Sequence, residues 1–219
     1  MPDATTIRQI AERQIECLAR RPDRGLLTCR TRARRVAGLR CEIEEGSWRL
    51  AADMPARLGG DETAPTPGVL GRAALASCLV IGIGIWAARL GIELHAVEVE
   101  VETDFDARGE LGMSQVEPGY SMVRCRIHID SPANRDEIDH LLARVERHSP
   151  YLDVFGRAIP ISCSHLVKAA GDDPDGRASA ATGSTLRVGS GGGLLRLGVA
   201  GPARAGPRSD AGVGQASAG

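Results

Sequence analysis

The feature that most constrains this chain is a long apolar segment near its middle. From Ala73 to Ala88 every side chain is apolar or small, and Arg72 and Arg89 close the segment at its two ends. It contains Gly82 and Gly84 and is shorter than the ~20 residues that a membrane-spanning helix needs. The segment therefore predicts a buried core helix rather than a membrane anchor.

The residues around this segment define the ends of the helix. Thr66 provides a capping hydroxyl, and Pro67 follows at the first helical position, where a missing N–H is tolerated. Gly91 is a typical stop signal, so the helix is expected over about 68–90. A helix that is apolar nearly all round cannot be covered by one sheet face, and a second copy of the chain is the simplest further cover. A homodimer is therefore expected.

The rest of the first 170 residues alternates between strand and helix patterns. Apolar side chains at helical spacing predict helices over about 5–20 and from Ser131-Pro132 to about 148. Alternation of side chains between two faces predicts strands; these are 26–36, 39–44, 48–52, 95–105, 120–130 and 158–166. Glu45-Gly46-Ser47 has the chemistry of a hairpin turn. Consecutive strands with short connections indicate a mainly antiparallel sheet, and helices grouped on it define an α+β class.

Composition divides the chain into three parts. Residues 1–25 are predicted to hold an N-terminal helix, and residues 26–170 the main domain. Residues 171–219 consist largely of Gly, Ala, Ser, Pro and Arg, with no aromatic side chain. Such a segment buries too little apolar surface to offset the entropy lost on ordering, so a disordered, low-complexity tail is expected.

Charge and cysteine usage exclude several function classes. The net charge is -1, with 27 basic and 28 acidic side chains, so neither a nucleic-acid partner nor a membrane partner is expected. Acidic residues interrupt the N-terminal helix, which does not resemble a secretory signal, and a cytoplasmic location is expected. The six cysteines include no CxxC pair, so no metal site is predicted, and no cofactor is expected.

One cysteine lies within a longer motif. Pro67, Leu70, Ala74-Leu75-Ala76 and Cys78 follow the pattern P-x-x-L-x-x-x-A-L-A-x-C, which resembles the cysteine helix of OsmC/Ohr proteins. The resemblance covers roughly residues 26–168, because three further segments are similar to the family. Residues 59–68 resemble its loop before the cysteine helix, and residues 91–109 resemble its helix exit and long strand ending in D-x-R-G. Residues 144–161 resemble its final helix, turn and last strand.

The resemblance implies an intertwined homodimer built around two cysteine helices, with reactive sites near the interface. In the peroxidase members a thiolate attacks an organic hydroperoxide, and a second cysteine resolves the sulfenic acid as a disulfide. Cys78 matches the first cysteine and is the catalytic candidate. The second would lie in the turn His148-Ser149-Pro150, where this chain has Ser149. The acidic residue that the Ohr branch places ten residues before the cysteine is Gly68 here.

Several residues are candidates for a supporting role. Only a thiolate is nucleophilic, so Cys78 would need a cation nearby. The candidates for this cation are Arg35, Arg40 and His148, and Ser149 is a further supporting candidate. Judged by periodicity alone, Cys78 is an ordinary packing residue of the core, and His148 is a solvent-exposed residue at the end of a helix. Further cysteines at strand positions could replace the missing resolving thiol; they are Cys125 and Cys163.

Two functions remain open at this point. The first is a thiol-dependent peroxidase whose Cys78 reduces small organic hydroperoxides while an external thiol reductant resolves the sulfenic acid. The second is a non-catalytic protein of the same fold that binds an apolar ligand or acts as a regulator.

Overall fold

The computed structural model describes residues 2–113, 115–165 and 184–188. The chain divides into two compact units, Met1–Gly156 and Arg157–Gly219, which are described separately. The first unit contains the long apolar helix and almost all of the described regular structure.

An amphipathic helix, α1, opens the first unit over Ala4–Arg20. Its N-terminus is capped by the Asp3 carboxylate, which accepts a hydrogen bond from the backbone N–H of Thr6. The helix lies against the long apolar helix, and its own side chains remain half-buried or exposed. The predicted N-terminal helix is therefore present.

A three-stranded antiparallel sheet follows, with β1 over Arg32–Ala37, β2 over Arg40–Glu45 and β3 over Trp48–Ala52. The β2–β3 hairpin turns at Gly46, whose φ of 55° is in the left-handed region that glycine adopts readily. The first strand is shorter than predicted: a short 3-10 turn at Pro22–Gly25 leads into residues that pair with no described strand before Arg32. Alternation alone did not reveal that β2 ends too early to pair with them.

The loop after β3 is held together by one buried carboxylate. Asp53, only 1% exposed, accepts hydrogen bonds from the N–H and hydroxyl of Thr63 and from the N–H groups of Met54 and Asp61. These bonds lower the pKa of Asp53 below its ordinary value, those from Thr63 having the largest effect. The loop also passes close to itself: a Cβ on Gly60 would overlap the carbonyl oxygen of Met54. The residues that precede the apolar helix are thus fixed rather than loosely connected.

The apolar helix, α2, spans Pro67–Leu90. Thr66 caps it by accepting from the N–H of Val69, and Gly91 ends it with a φ of 73°. These ends agree with the predicted ones. Side chains at four-residue spacing form the buried side of the helix; they are Leu75, Leu79, Ile83 and Ala87.

A long two-stranded hairpin covers part of α2. It consists of β4, Ala96–Phe105, and β5, Tyr120–Asp130, paired antiparallel. Val97, Val99 and Val101 pack against the core, as alternation predicted. Glu100, Glu102 and Asp104 lie on the other side, where they form ion pairs with two arginines of β5, Arg124 and Arg126.

The connection between these strands contains a four-residue helix, α3, at Ala107–Glu110. The Asp106 carboxylate caps it by accepting from the backbone N–H of Arg108, and it also pairs with the Arg108 guanidinium. Hydrogen bonds from Arg108 lower the pKa of Asp106 to about 2. Gly109 is required for close approach, because a Cβ there would lie 2.6 Å from the Glu117 carbonyl oxygen. Each residue type in the D-x-R-G motif therefore has a local structural reason.

Two helices complete the first unit. The helix α4 runs over Arg135–His148 from a capping box formed by Asn134 and Glu137, so it begins later than the predicted Ser131-Pro132. Its buried residues, Leu141 and Val145, pack against α2. A further short helix, α5, spans Pro150–Gly156. The sequence pattern predicted only a turn there, because seven residues are too few to show helical periodicity.

The second unit is described over residues 157–165 and 184–188. Its strands β6, Ile161–His165, and β7, Ser184–Val188, pair antiparallel. β6 lies within the predicted last strand, whereas β7 was not predicted and lies within the segment expected to be a disordered tail. The other residues of that segment, 171–183 and 189–219, lie outside the described part of the chain.

The α+β class with antiparallel sheets and a central apolar cysteine-bearing helix is confirmed. The described strands form three separate sheets rather than one, of three, two and two strands. The most apolar 18-residue segment of α2 has a mean hydropathy of 1.9, and only 17% of that segment is buried within the chain. By length and hydropathy alone it could also cross a membrane, a criterion that core helices of soluble proteins meet as well.

Candidate functional site

The candidate site is the contact between α2 and the junction of α4 and α5. Cys78 lies on α2 about one turn before Gly82, which faces Val145 of α4. A Cβ added at Gly82 would lie 3.6 Å from a methyl group of Val145, an ordinary packing distance, so this side of α2 faces α4. The Cys78 side chain therefore points towards the end of α4.

The half-buried thiol of Cys78 meets the hydroxyl of Ser149. The Cys78 Sγ and Ser149 Oγ atoms are 3.6 Å apart, within hydrogen-bond range for sulfur. Ser149, 7% exposed, is the residue between α4 and α5, and its Oγ accepts from the N–H of Leu152 in the first turn of α5. With that interaction made, the hydroxyl hydrogen is free to point at the sulfur. The structure thus brings two of the predicted site residues together.

The three predicted cations are engaged elsewhere. Arg35 donates to the carbonyl of Gly38 at the β1–β2 turn, at 3.1 Å. Arg40 donates to the Thr63 hydroxyl at 2.7 Å and so supports the loop before α2. The His148 ring stacks on Trp86, with 5.0 Å between the ring centroids. Within the described part of the chain, none of the three makes a hydrogen bond to Cys78.

The alternative resolving thiols do not bond to Cys78 either. All six cysteines are free thiols in this structure. Cys125 is on β5 opposite Val101, and partial burial raises its pKa above the ordinary value. Cys163 lies on β6 in the second unit. The only side chain that the described residues place in hydrogen-bond contact with the Cys78 sulfur is therefore Ser149.

A cavity of about 450 Å³ lies at the N-terminal end of α2. Arg72 of α2, Phe105 of β4 and Tyr120 of β5 line it, together with Arg57 and apolar residues of the loop before α2. Cys78 follows Gly68, another lining residue, by ten positions, which is roughly 15 Å along a helix. Within one chain the cavity and the thiol are therefore separate features.

Sequence reasoning missed some of this arrangement. It found Cys78 and Ser149 but treated His148 as a possible partner of the thiol rather than of an aromatic ring. It also gave Asp53 no role, because an acidic residue in a loop rich in proline and glycine usually lies in solvent. No cluster of three or more metal-binding side chains occurs among the residues that the structure describes.

The fold and site define a class: an α+β protein with a cysteine midway along a central apolar helix. Residues 59–164 match the family model described as OsmC-like protein, so this region is an OsmC-like domain. The resemblance seen in the cysteine motif is thereby confirmed.

The chain is also similar to solved structures. The OsmC-like protein of Mycoplasma pneumoniae is 14% identical, with a TM-score of 0.50 over 59% of this chain and 88% of that one. An organic hydroperoxide resistance protein from Legionella pneumophila is 27% identical, covering 59% of this chain and 90% of that one with a TM-score of 0.46. An organic hydroperoxide resistance protein from Elizabethkingia anophelis is 18% identical, covering 59% of this chain and 88% of that one with a TM-score of 0.44. No curated protein sequence matches the chain significantly.

Proposed function

We propose that this protein is a thiol-dependent peroxidase of the OsmC/Ohr type, acting in the cytoplasm in defence against oxidative stress. Cys78 is its catalytic residue, organic hydroperoxides are its substrates, and an external thiol is its reductant. The observation that supports this proposal most strongly is the 3.6 Å contact between Cys78 Sγ and Ser149 Oγ. It puts a serine hydroxyl where a peroxidase with two cysteines would hold its resolving sulfur.

The chemistry of the proposed first step is a two-electron oxidation of sulfur. The Cys78 thiolate attacks the terminal oxygen of the hydroperoxide, forming an S–O bond as the O–O bond breaks. The alkoxide that leaves takes up a proton and departs as an alcohol, and Cys78 becomes a sulfenic acid. The Ser149 hydroxyl, which accepts from Leu152 N–H, can donate its hydrogen to the thiolate, which has no hydrogen of its own to donate.

The second step needs a sulfur that Ser149 does not supply. An external thiol attacks the Cys78 sulfenic acid, and water leaves as a mixed disulfide forms. A second external thiol then attacks that disulfide, releasing reduced Cys78 and an oxidised disulfide of the reductant. Two external thiols and one hydroperoxide are consumed per turnover, and no internal disulfide is formed.

The experiment that tests this function combines turnover with the chemical state of each cysteine. Wild-type protein is mixed with cumene hydroperoxide, with and without dithiothreitol, and the modified residue is identified by mass spectrometry. We expect sulfenic acid at Cys78 without dithiothreitol and continuous hydroperoxide consumption with it. The Cys78→Ser variant should lose consumption, and Cys125→Ser should retain it. Full consumption by Cys78→Ser would remove the enzymatic assignment.

A second candidate function is supported by two observations. No described cation bonds to the Cys78 sulfur, although a reactive thiolate usually has one nearby. The cavity at the start of α2 combines aromatic walls with arginines, as a binding site for an apolar ligand would. A non-catalytic ligand-binding or regulatory protein would bind such a ligand in that cavity and leave hydroperoxides unconsumed. Inactive wild type that binds an apolar fluorescent probe, with loss of binding in Tyr120→Ala, would favour this candidate.

A further inference from the structure

A cluster of cationic side chains surrounds Trp86 on the half-buried side of α2. The Arg89 guanidinium carbon is 3.8 Å from the centroid of the indole, and that of Arg144 is 5.9 Å away. The His148 ring stacks on the same indole at 5.0 Å between centroids and 23° between planes. Three side chains from two helices, α2 and α4, thus converge on one aromatic ring.

Neither arginine of this cluster has a carboxylate partner among the residues the structure describes, and His148 has none there either. Other exposed arginines of β5 and α4 do form ion pairs, Arg124 and Arg135 among them. The two permanent positive charges share one ring and so lie no more than about 10 Å apart. This is comparable with the ~8 Å screening length of physiological salt, so they repel each other.

Helix ends explain only part of the arrangement. Arg89 and His148 lie in the last turns of their helices, where the helix dipole favours a cation, and the indole attracts each cation through its π face. Neither effect supplies a counter-charge that would offset the repulsion between these cations. A negatively charged group bound between the guanidinium groups would supply it and would replace the repulsion with charge-assisted hydrogen bonds.

We propose that Arg89, Arg144 and His148, assembled on Trp86, form a binding site for a small oxyanion, namely a phosphate or carboxylate group. Arginine suits this ligand because its planar guanidinium donates two parallel hydrogen bonds to such groups. The site uses other side chains than the Cys78–Ser149 contact of the proposed function and adjoins that contact, because His148 is the sequence neighbour of Ser149. It does not depend on whether Cys78 reacts with hydroperoxides.

The indole at the centre of the site provides the readout. The chain has two tryptophans, and Trp48 is exposed on β3. In a Trp48→Phe background the emission therefore reports on Trp86 alone. The full-length protein is titrated with potassium phosphate and, separately, with potassium acetate at pH 7, with ionic strength held constant by potassium chloride. Whichever anion binds more tightly identifies the preferred group.

We expect a saturable change in Trp86 emission with at least one of the two anions. Arg144→Gln should raise the dissociation constant by about tenfold or more, because it removes one charge-assisted partner, and Arg89→Gln should act in the same direction. Arg135→Gln is the matched control, since it changes an exposed arginine of the same helix that has its own partner, Asp139.

Circular dichroism of each variant confirms that it is folded, and a rise in wild-type melting temperature with phosphate, absent in Arg144→Gln, gives a second readout. The proposal is overturned if neither anion produces a saturable response in the parent protein. It is equally overturned if Arg144→Gln and Arg135→Gln respond alike, since binding would then not involve this cluster. Hydroperoxide consumption in Cys78→Ser has no bearing on these titrations, so the two proposals fail separately.

Discussion

Replacing Ser149 with cysteine puts a second sulfur beside the Cys78 thiol. Because the present Sγ–Oγ distance is 3.6 Å, we expect hydroperoxide to convert the Ser149→Cys variant to an internal disulfide between Cys78 and the introduced sulfur. Wild type should instead accumulate the sulfenic acid until an external thiol is added. Non-reducing peptide mapping after one equivalent of hydroperoxide distinguishes the two products.

The matched control is Ser77→Cys, which adds a thiol on the neighbouring residue of α2. The Ser77 side chain is exposed and bonds back to the carbonyl of Ala74, so a sulfur there should form no disulfide with Cys78. A Cys78 disulfide with Cys125 or Cys163 in oxidised wild type would show that a resolving thiol exists already and that the role given to Ser149 is wrong.

The buried carboxylate of Asp53 makes part of the stability dependent on pH. Hydrogen bonds from Thr63 and Met54 lower its pKa in the folded state, so its contribution is fully present above the unfolded pKa of ~3.9 and is lost as the pH falls through the folded value. We expect Asp53→Asn to melt well below wild type at pH 7, and the difference to shrink below pH 4. Asp61→Asn, an exposed residue of the same loop, should melt like wild type at both values. A pH-independent difference would contradict this assignment.

At this scale the sequence predicted the identity of the two contacting site residues but not their surroundings. Cys78 and Ser149 were found because each occupies a recognisable motif position. The partners of Arg35, Arg40 and His148 could not be predicted, because a long flexible side chain selects its partner from groups that only the fold brings within reach. Nothing in the local sequence distinguishes an arginine that supports a loop from one that faces a thiol.

Two glycines test how the elements pack. Gly82 lies inside α2, and an added Cβ would make an ordinary 3.6 Å contact with Val145. Since alanine is favoured over glycine in a helix interior, Gly82→Ala should raise the free energy of unfolding by about 0.5–1 kcal/mol. Gly60→Ala should lower it, because the new Cβ would overlap the Met54 carbonyl. Chemical denaturation of both variants measures the two signs, and a stabilised Gly60→Ala would show that the loop is not held as described.

Elements with strong local signals were predicted closely, and those without were not. The ends of α2 agree with prediction because Thr66 and Gly91 fix them by local hydrogen bonding and backbone conformation. The first part of the predicted strand 26–36 is not a strand, since a strand exists only where a partner lies beside it. The helix α5 escaped prediction because its seven residues complete scarcely two turns.

At the scale of the whole molecule, α2 exposes apolar surface that the described residues of one chain leave uncovered. Ile81 is 61% exposed, whereas Ile83, two residues later, is fully buried. We expect a homodimer through the Ile81 side of α2, so wild type should sediment as a dimer at micromolar concentration. Ile81→Glu should sediment as a monomer, because association would bury an unpaired carboxylate. His140→Glu, on the exposed outer side of α4, should remain dimeric, and a monomeric wild type would contradict the dimer.

The composition of residues 171–219 predicts that they contribute little to stability. We expect truncation after Val188 or after Ala170 to leave the melting temperature within about 5 °C of the full-length value, corresponding to roughly 1 kcal/mol or less. Only the shorter protein lacks β7, which pairs with β6. A larger fall confined to that truncation would assign a stabilising role to this pairing, and a fall in both would make the tail part of the fold.

The strand β1 has one consequence for solubility. It is an outer strand of its sheet, paired with β2 alone among the described strands, so its free edge could accept a strand from another molecule. Three of its six residues are arginines, Arg32, Arg34 and Arg35. Two such edges meeting antiparallel would bring like charges together, which discourages open-ended strand addition and aggregation. Because salt screens that repulsion, concentrated protein should stay clear longest in buffers of low ionic strength.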